Sequence, residues 1–382
     1  MKVAHIITRL IIGGAQENTL FNCEDLIRNF GDEVILITGP TTGPEGTLMN
    51  RCAGVVPTVV IPALIRPISP FHDVLAYRHI KRVLRDFKPD VVHTHSAKAG
   101  IIGRAVARKI NCRCIVHTVH GAPFYPEQNA AVRWFYQYCE RWAAKRCDAL
   151  ISVADAMTVL MVNANIAERE KFTTIYSGMD IEPFLNSASL RQETRAKMGF
   201  ADSDVVVGKI ARLFNLKGHE FVINAARSII ARIPNVKFLF VGDGTLADTH
   251  RRKIQQLGLE KYFVFTGLVS PERIPAMLSA MDIVVHTSLR EGLARVLPQA
   301  LLSGKPVISY DVDGAREVVR NNETGFLLPP KQIELLADAV VTLALNEDLR
   351  NKMGETGREM CRNKFDRTLM TERIRELYQR FI

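Results

Sequence analysis

The sequence has no run approaching the roughly 18 apolar residues of a membrane-spanning helix. Its start, Lys2 to Thr8, reads directly as a strand, without the charged region, apolar stretch and cleavage site of a signal peptide. Cysteine is sparse: there are seven, an odd number, with no Cys-x-x-Cys, which suits a reducing cytoplasm better than a disulfide scaffold. No Gly-x-Gly-x-x-Gly follows a strand, so the dinucleotide fingerprint is missing. Ser303-Gly304-Lys305 lacks the upstream glycine and the hydroxyl residue of a phosphate-binding P-loop, and no Gly-x-Ser-x-Gly elbow is present. His93, His95, His117 and His120 are not completed by a carboxylate or cysteine at ligand spacing, so no metal is expected. The net charge is +10, yet no aromatic interleaving or nucleic-acid module accompanies it, and no nucleic acid is expected as a partner. Internal repeats and low-complexity segments are also missing.

What is present is an alternation. Short Val/Ile runs at 2–8, 33–38, 56–61, 90–94, 113–119, 148–152 and 172–176 are separated by amphipathic stretches at 15–29, 72–87, 98–110, 129–146 and 154–164. The pattern predicts a parallel, doubly wound sheet. It breaks near 178–190, then resumes with strands at 204–211, 236–241, 262–266, 281–286, 306–310 and 324–328. Helices fit 218–232, 245–257, 272–280, 293–303, 332–345 and 347–362. At 382 residues the chain exceeds one typical core, so the fold class is α/β with two Rossmann-like domains, 1–180 and 181–365, facing across a cleft. A last helix over 366–382 is expected to return to the first domain.

The most informative stretch is Thr287 to Pro306, where an apolar strand runs into a polar turn ending at Glu291-Gly292 and then into an apolar helix. Ligands of open α/β sheets collect at the carboxyl ends of strands, and helix N-termini favour anions. Glu291 and Gln299 are eight residues apart, roughly 12 Å along a helix, about the reach from the sugar to the ribose of a nucleoside-diphosphate sugar. The same spacing suits an ordinary crossover with a surface glutamate. Arg212 and Lys217 follow another strand, and an Arg fork with a Lys point charge suits a diphosphate. Gly13 and Gly14 open the first helix, where amides approach a ligand or a tight turn requires positive φ. Gly242, in Gly-Asp-Gly, marks a further strand-end turn.

From Arg51 to Arg113 there are twelve Lys or Arg against three Asp or Glu. Residues 75–87 place a basic face beside an apolar stripe at helical spacing, next to an unusually apolar connection. This segment fits either an anionic membrane surface or a solvated helix face.

Taken in order, these motifs resemble retaining glycosyltransferase family 4, whose fold is GT-B. They are Gly-Gly-Ala at 13–15, Val-His-Thr-His at 92–95, His-Thr-Val-His-Gly at 117–121 and Ser-Gly-Met-Asp at 177–180. The Arg212/Lys217 pair, Gly-Asp-Gly at 242–244 and Arg-Glu-Gly-Leu at 290–293 complete the set. The resemblance spans essentially the whole chain. It implies metal-independent, cofactor-free transfer of a sugar from a nucleoside-diphosphate donor, bound by the second domain, to a glycan or lipid-linked acceptor bound by the first. It also implies site roles. Arg212 and Lys217 hold the diphosphate, Glu291 bonds sugar hydroxyls, and His120 lies near the reaction centre. Gly13, Gly14, Gly242, Gly292, Leu293 and Ala294 line the donor site. The family commonly carries a second glutamate where this chain has Gln299, which has one acceptor oxygen and an NH2 donor for the ribose. The expected setting is cytoplasmic, peripheral on the inner membrane face. Alternatives are the same chemistry on a soluble acceptor, a nucleotide-sugar-binding protein without catalysis, and a sugar-nucleotide epimerase.

Overall fold

A computed structural model describes residues 1–41, 46–126 and 128–382. The chain divides into two units, Met1–Met179 with Phe365–Ile382, and Asp180–Lys364.

The first unit is a seven-stranded sheet. Its strands are β1 (Lys2–Ile7), β2 (Glu33–Thr38), β3 (Thr58–Val60), β4 (Val91–His95), β5 (Cys114–Val119), β6 (Ala149–Ser152) and β7 (Phe172–Thr174). They lie in the order β3-β2-β1-β4-β5-β6-β7, every pair parallel. Helices α1 (Gly14–Phe30), α2 (Met49–Cys52), α3 (Pro70–Phe87), α4 (Ala97–Lys109), α5 (Ala130–Ala144) and α6 (Asp155–Asn163) make the connections. Strands covered on both faces read as continuous apolar runs, which is why Val3, Ala4, Ile6 and Ile7 are all fully buried. The four-residue α2 is too short to leave a periodic signal in the sequence.

The C-terminal helix, Arg367–Gln379, packs on α1. Asp366 caps it by accepting from the amides of Thr368 and Leu369. Arg367 forks onto Asp25 at 2.6 and 2.9 Å and onto Glu24 at 2.8 Å, and Arg375 bonds Asp32 at 3.0 Å. The Tyr378 hydroxyl reaches His93 Nδ1 at 2.5 Å in the core.

In the second unit the strands are β8 (Val205–Ile210), β9 (Val236–Val241), β10 (Phe263–Phe265), β11 (Ile283–His286), β12 (Val307–Tyr310) and β13 (Gly325–Leu328). Their order is β10-β9-β8-β11-β12-β13, again all parallel. Its helices are α7 (Glu182–Leu185), α8 (Arg191–Met198), α9 (His219–Arg232), α10 (Ala247–Gln256), α11 (Ile274–Ala280), α12 (Val296–Leu302), α13 (Ile333–Leu345) and α14 (Glu347–Arg362). The core lies where Val222, Ala226 and Ile229 of α9 and Val340 of α13 meet Phe238, Phe240 and Val285 of the sheet. In both sheets the strand order reverses, between β1 and β4 in one and between β8 and β11 in the other. That switch point is where an open α/β sheet leaves room for a ligand.

One expected element differs in a way that matters. The helix expected from 293 begins at Val296. Proline lacks the N–H needed beyond the first turn, so Pro298 must sit at the third helical position or earlier. The first full turn closes with the Gln299 amide on the Arg295 carbonyl at 3.1 Å. Glu291 to Ala294 therefore form a turn, and no continuous helix joins Glu291 to Gln299.

Candidate functional site

In the second unit, Arg212 and Lys217 lie in the loop leaving β8, and Glu291 lies in the loop leaving the neighbouring β11. Gly218 locks the two loops together. Its φ of 72° is left-handed, and a Cβ there would sit 1.9 Å from the Thr287 carbonyl oxygen. The Thr287 hydroxyl donates to the Gly218 carbonyl at 2.6 Å, and the Leu289 amide donates to Leu216 at 2.8 Å. This packing brings the Lys217 ammonium onto a Glu291 carboxylate oxygen as an ion pair.

The Glu291 amide donates to Asp313 at 2.6 Å, fixing the turn from the other side. Burial alone would push the Glu291 carboxyl up, but the charge and hydrogen bond of Lys217, with His286 and Ser288, more than offset it and hold the group below the usual carboxylate range. Asp313 moves the opposite way, raised by burial with Glu291 adding repulsion. Gly292 accepts from the Gly314 amide at 3.3 Å. Leu293 and Ala294 follow in the turn, and Gln299 is half-buried in the first turn of α12.

Gly242 brings a third loop alongside. Its φ is 135°, and a Cβ would meet the Ala211 carbonyl oxygen at 2.2 Å, next to Arg212. The Arg212 guanidinium lies 5.1 Å from the Phe214 ring centroid.

Beneath the pair is a polar layer that sequence reading missed. Lys209 is buried with no hydrogen-bond partner for its amine among the described residues, and burial with Lys217 nearby pushes it down to about 7. Burial pushes His286 down to about 3 and His219 to about 2, with both nitrogens of each lacking a hydrogen-bond partner among the described residues. In sequence Lys209 and His286 look like single polar residues in apolar strands, and the parallel pairing of β8 with β11 makes them neighbours.

In the first unit, Gly13 caps α1 with φ 177°, an extended conformation open to any residue. The backbone therefore does not demand glycine there, although a Cβ would meet Gln16 Oε1 at 2.7 Å. Gly14 is the first helical residue. His120 follows β5, and its Nε2 lies 3.1 Å from His95 Nδ1. His95 Nε2 in turn meets His5 Nδ1 at 3.0 Å. His5 was not singled out in the sequence; the signal was its parallel register with His93.

The ring nitrogens of His5, His93 and His95 lie close enough to hold a metal ion. Five of the six are already hydrogen-bonded: His93 to the Tyr378 and Thr118 hydroxyls, His95 to His5 and His120, and His5 to His95. A metal would have to displace these bonds.

Among the described residues no helix is long and apolar enough to cross a membrane. The basic segment is partly used internally. Arg104 is buried against Glu140 at 3.0 Å, Lys98 pairs with Asp73, and Arg51 with Glu24. Arg66, Arg78, Arg82 and Arg85 remain exposed. A second surface was not foreseen: Val132, Trp134, Phe135 and Tyr138, near the start of α5, are each exposed by about half.

Two all-parallel α/β units, with a carboxylate–lysine pair at strand ends of the second, make up a GT-B fold. The chain belongs to glycosyltransferase family 4: residues 12–183 match the family described as Glycosyltransferase Family 4, and residues 191–360 match Glycosyl transferases group 1. It is 29% identical to the UDP-Gal:alpha-D-GlcNAc-diphosphoundecaprenol alpha-1,3-galactosyltransferase of Escherichia coli, over 99% of this chain and 96% of that protein. It is 25% identical to the capsular polysaccharide biosynthesis glycosyltransferase CapM of Staphylococcus aureus, over 87% and 86% of the two chains. The crystal structure of Anabaena HepE in complex with UDP-glucose shares the fold, with a TM-score of 0.84, 24% identity and 99% of both chains covered. The protein is accordingly a glycosyltransferase.

Proposed function

We propose that this protein transfers a sugar, with retained anomeric configuration and without a metal, from a nucleoside-diphosphate sugar to a lipid-linked acceptor. The observation that carries this is the Lys217–Glu291 pair at the switch point of the second sheet. A cation and an ionised carboxylate side by side suit a diphosphate joined to a hydroxyl-rich ring. Arg212 and Lys217 take the diphosphate, helped by the amides of Leu293 and Ala294. Glu291 accepts from sugar hydroxyls, Gln299 bonds the ribose, and Gly242 leaves room for the nucleotide. Gly13 and Gly14 take part in donor binding through their backbone, and His120 takes part in catalysis. Uridine is the base expected, since the E. coli relative is named for UDP-Gal and HepE is solved with UDP-glucose.

In the reaction the bond from the anomeric carbon to the phosphate oxygen breaks, and a bond to the acceptor oxygen forms on the same face. The acceptor's proton passes to the departing diphosphate. Arg212 and Lys217 stabilise the charge that grows there, the electrostatic work a metal does elsewhere. No enzyme nucleophile is required.

A lipid-linked acceptor is favoured over a soluble one by the exposed arginines of α3 and the exposed aromatics of α5. Both suit docking on an anionic membrane, on the cytoplasmic side where nucleotide sugars are made. The test supplies UDP-sugars with a diphosphopolyprenol-linked sugar in chelator and reads the new anomeric centre by NMR. A product with the donor's configuration supports the proposal. An inverted product, or none without added metal, overturns it.

A further inference from the structure

Lys209 lies in β8, three residues before Arg212, with only 1% of its surface exposed. Strand register sets it beside Phe240 of β9, and alternation along β8 puts it on the same face as Val207, the face that carries the apolar core of this unit. Its amine has no hydrogen-bond partner among the described residues. Five further buried nitrogens share that condition: both of His219 at the start of α9, both of His286 at the end of β11, and Nε2 of His250 in α10. The His219 and His250 rings stack, with centroids 5.5 Å apart. An ammonium without a partner is costly to bury, so this setting favours the neutral amine.

The groups that act on Lys209 come from each neighbouring element. Lys217, in the loop leaving β8, opposes its charge, while Glu291, in the loop leaving β11, and Glu220 of α9 favour it. The imidazoles of His219, His286 and His250 are lowered by burial first, with Lys209 among the charges that act on them. All three are therefore neutral at pH 8. The Lys209 amine, brought to about 7 by burial, has just lost its proton there. Lys217 and Glu291 form an ion pair whose charges cancel. A nucleotide sugar's diphosphate bound at that pair adds two negative charges, and in a buried surround they act on Lys209 with little screening.

We propose that Lys209 is a latent third cation of the donor site. Neutral beneath the Lys217–Glu291 pair in the free protein, it takes a proton from solvent when a nucleoside-diphosphate sugar binds to that pair and Arg212. This rests on the reading of these loops as the donor site. Lys209 does not touch the donor; it is a positioning residue that acts through the charge of the pair above it. Donor binding is thereby tied to pH. It tightens as pH falls toward 7 and levels off below, where Lys209 is protonated in both states.

The test is NMR of the full chain with labelled lysine side chains, Lys209 being assigned by its loss in Lys209→Met. The native protein is titrated alone and with UDP-glucose, GDP-glucose and ADP-glucose. The Lys209 midpoint should rise from about 7 to above about 8 with whichever nucleotide binds. Calorimetry should give a native Kd about tenfold weaker at pH 8.5 than at pH 6.5. Lys209→Met should show nearly one Kd at both, close to the native value at pH 8.5. A midpoint unmoved by a bound nucleotide, or the native pH dependence in Lys209→Met, overturns the proposal and leaves the proposed function standing. Binding of none of the three overturns both. A raised midpoint in a protein that transfers no sugar counts against the proposed function alone.

Discussion

The Lys217 ammonium and the Glu291 carboxylate are held together by two loops that leave adjacent parallel strands. Neither residue is near the other in sequence, and each keeps only about a fifth to a quarter of its side-chain surface exposed. The pair presents positive charge and an ionised acceptor at one place, which is what a diphosphate and a sugar together require. Its surroundings make several measurable consequences.

Glu291→Ala removes a charged acceptor and leaves Lys217 without its partner. Loss of such a bond costs about 1.5–3 kcal/mol, roughly ten- to a hundredfold in turnover. Gln299→Ala loses a neutral bond and should cost less than about tenfold. Steady-state kinetics with the preferred donor compares them, and equal losses would mean that the two residues do not divide sugar and ribose between them.

Lys217→Met should shift the pH dependence. In the native protein the Glu291 carboxyl is held below its ordinary value of 4.5, because Lys217, with His286 and Ser288, outweighs burial. A carboxyl lowered on folding adds stability above its unfolded value, and that contribution is lost as pH falls through the folded one, so the native window lies below 4.5. Without Lys217, burial is opposed only by the smaller contributions of His286 and Ser288, and the group rises. The acid limb of the donor-binding profile should therefore move to higher pH in the variant.

Lys209→Met should stabilise the second unit. The native amine is lowered from 10.5 to about 7. Between those values the unfolded chain binds a proton that the folded one does not, so native stability rises with pH across that window. Thermal melts from pH 7 to pH 10 should show that rise in the native protein, and a higher, flatter profile in the variant.

Membrane docking has a built-in reporter, since the chain has two tryptophans, Trp134 and Trp142, both on α5. Trp134 is 59% exposed. Anionic vesicles should shift the native emission to the blue, and the shift should vanish in Trp134→Phe. Neutral vesicles should do less, because the exposed arginines of α3 supply the attraction. A Trp134→Phe protein with an unchanged blue shift would remove α5 from the docking surface.

The sheet was legible because parallel strands buried on both faces leave runs such as Val34 to Ile37 and Val236 to Val241. The Arg212/Lys217 and Glu291 positions were legible as loops at strand ends. Their contact was not, because it depends on which strands are adjacent. The start of α12 was misplaced because the apolar pattern from Leu293 continues smoothly, while the constraint comes from Pro298 and its missing N–H. His5 and Lys209 were hidden for a related reason: a single polar residue inside an apolar strand carries no periodic signal, and its meaning lies in partners far along the chain. The half-exposed aromatics of α5 look like a core stripe until the helix is seen to leave them uncovered.

The most direct test is release of nucleoside diphosphate from uridine-, guanosine- and adenosine-linked sugars in chelator, comparing the native protein with Arg212→Ala/Lys217→Ala. The native protein should release uridine diphosphate from a uridine-linked sugar. The double variant, with circular dichroism confirming its fold, should lose that activity by about a hundredfold or more. No release from any donor by the native protein, or equal release by the variant, would contradict the assignment of the donor site to these loops.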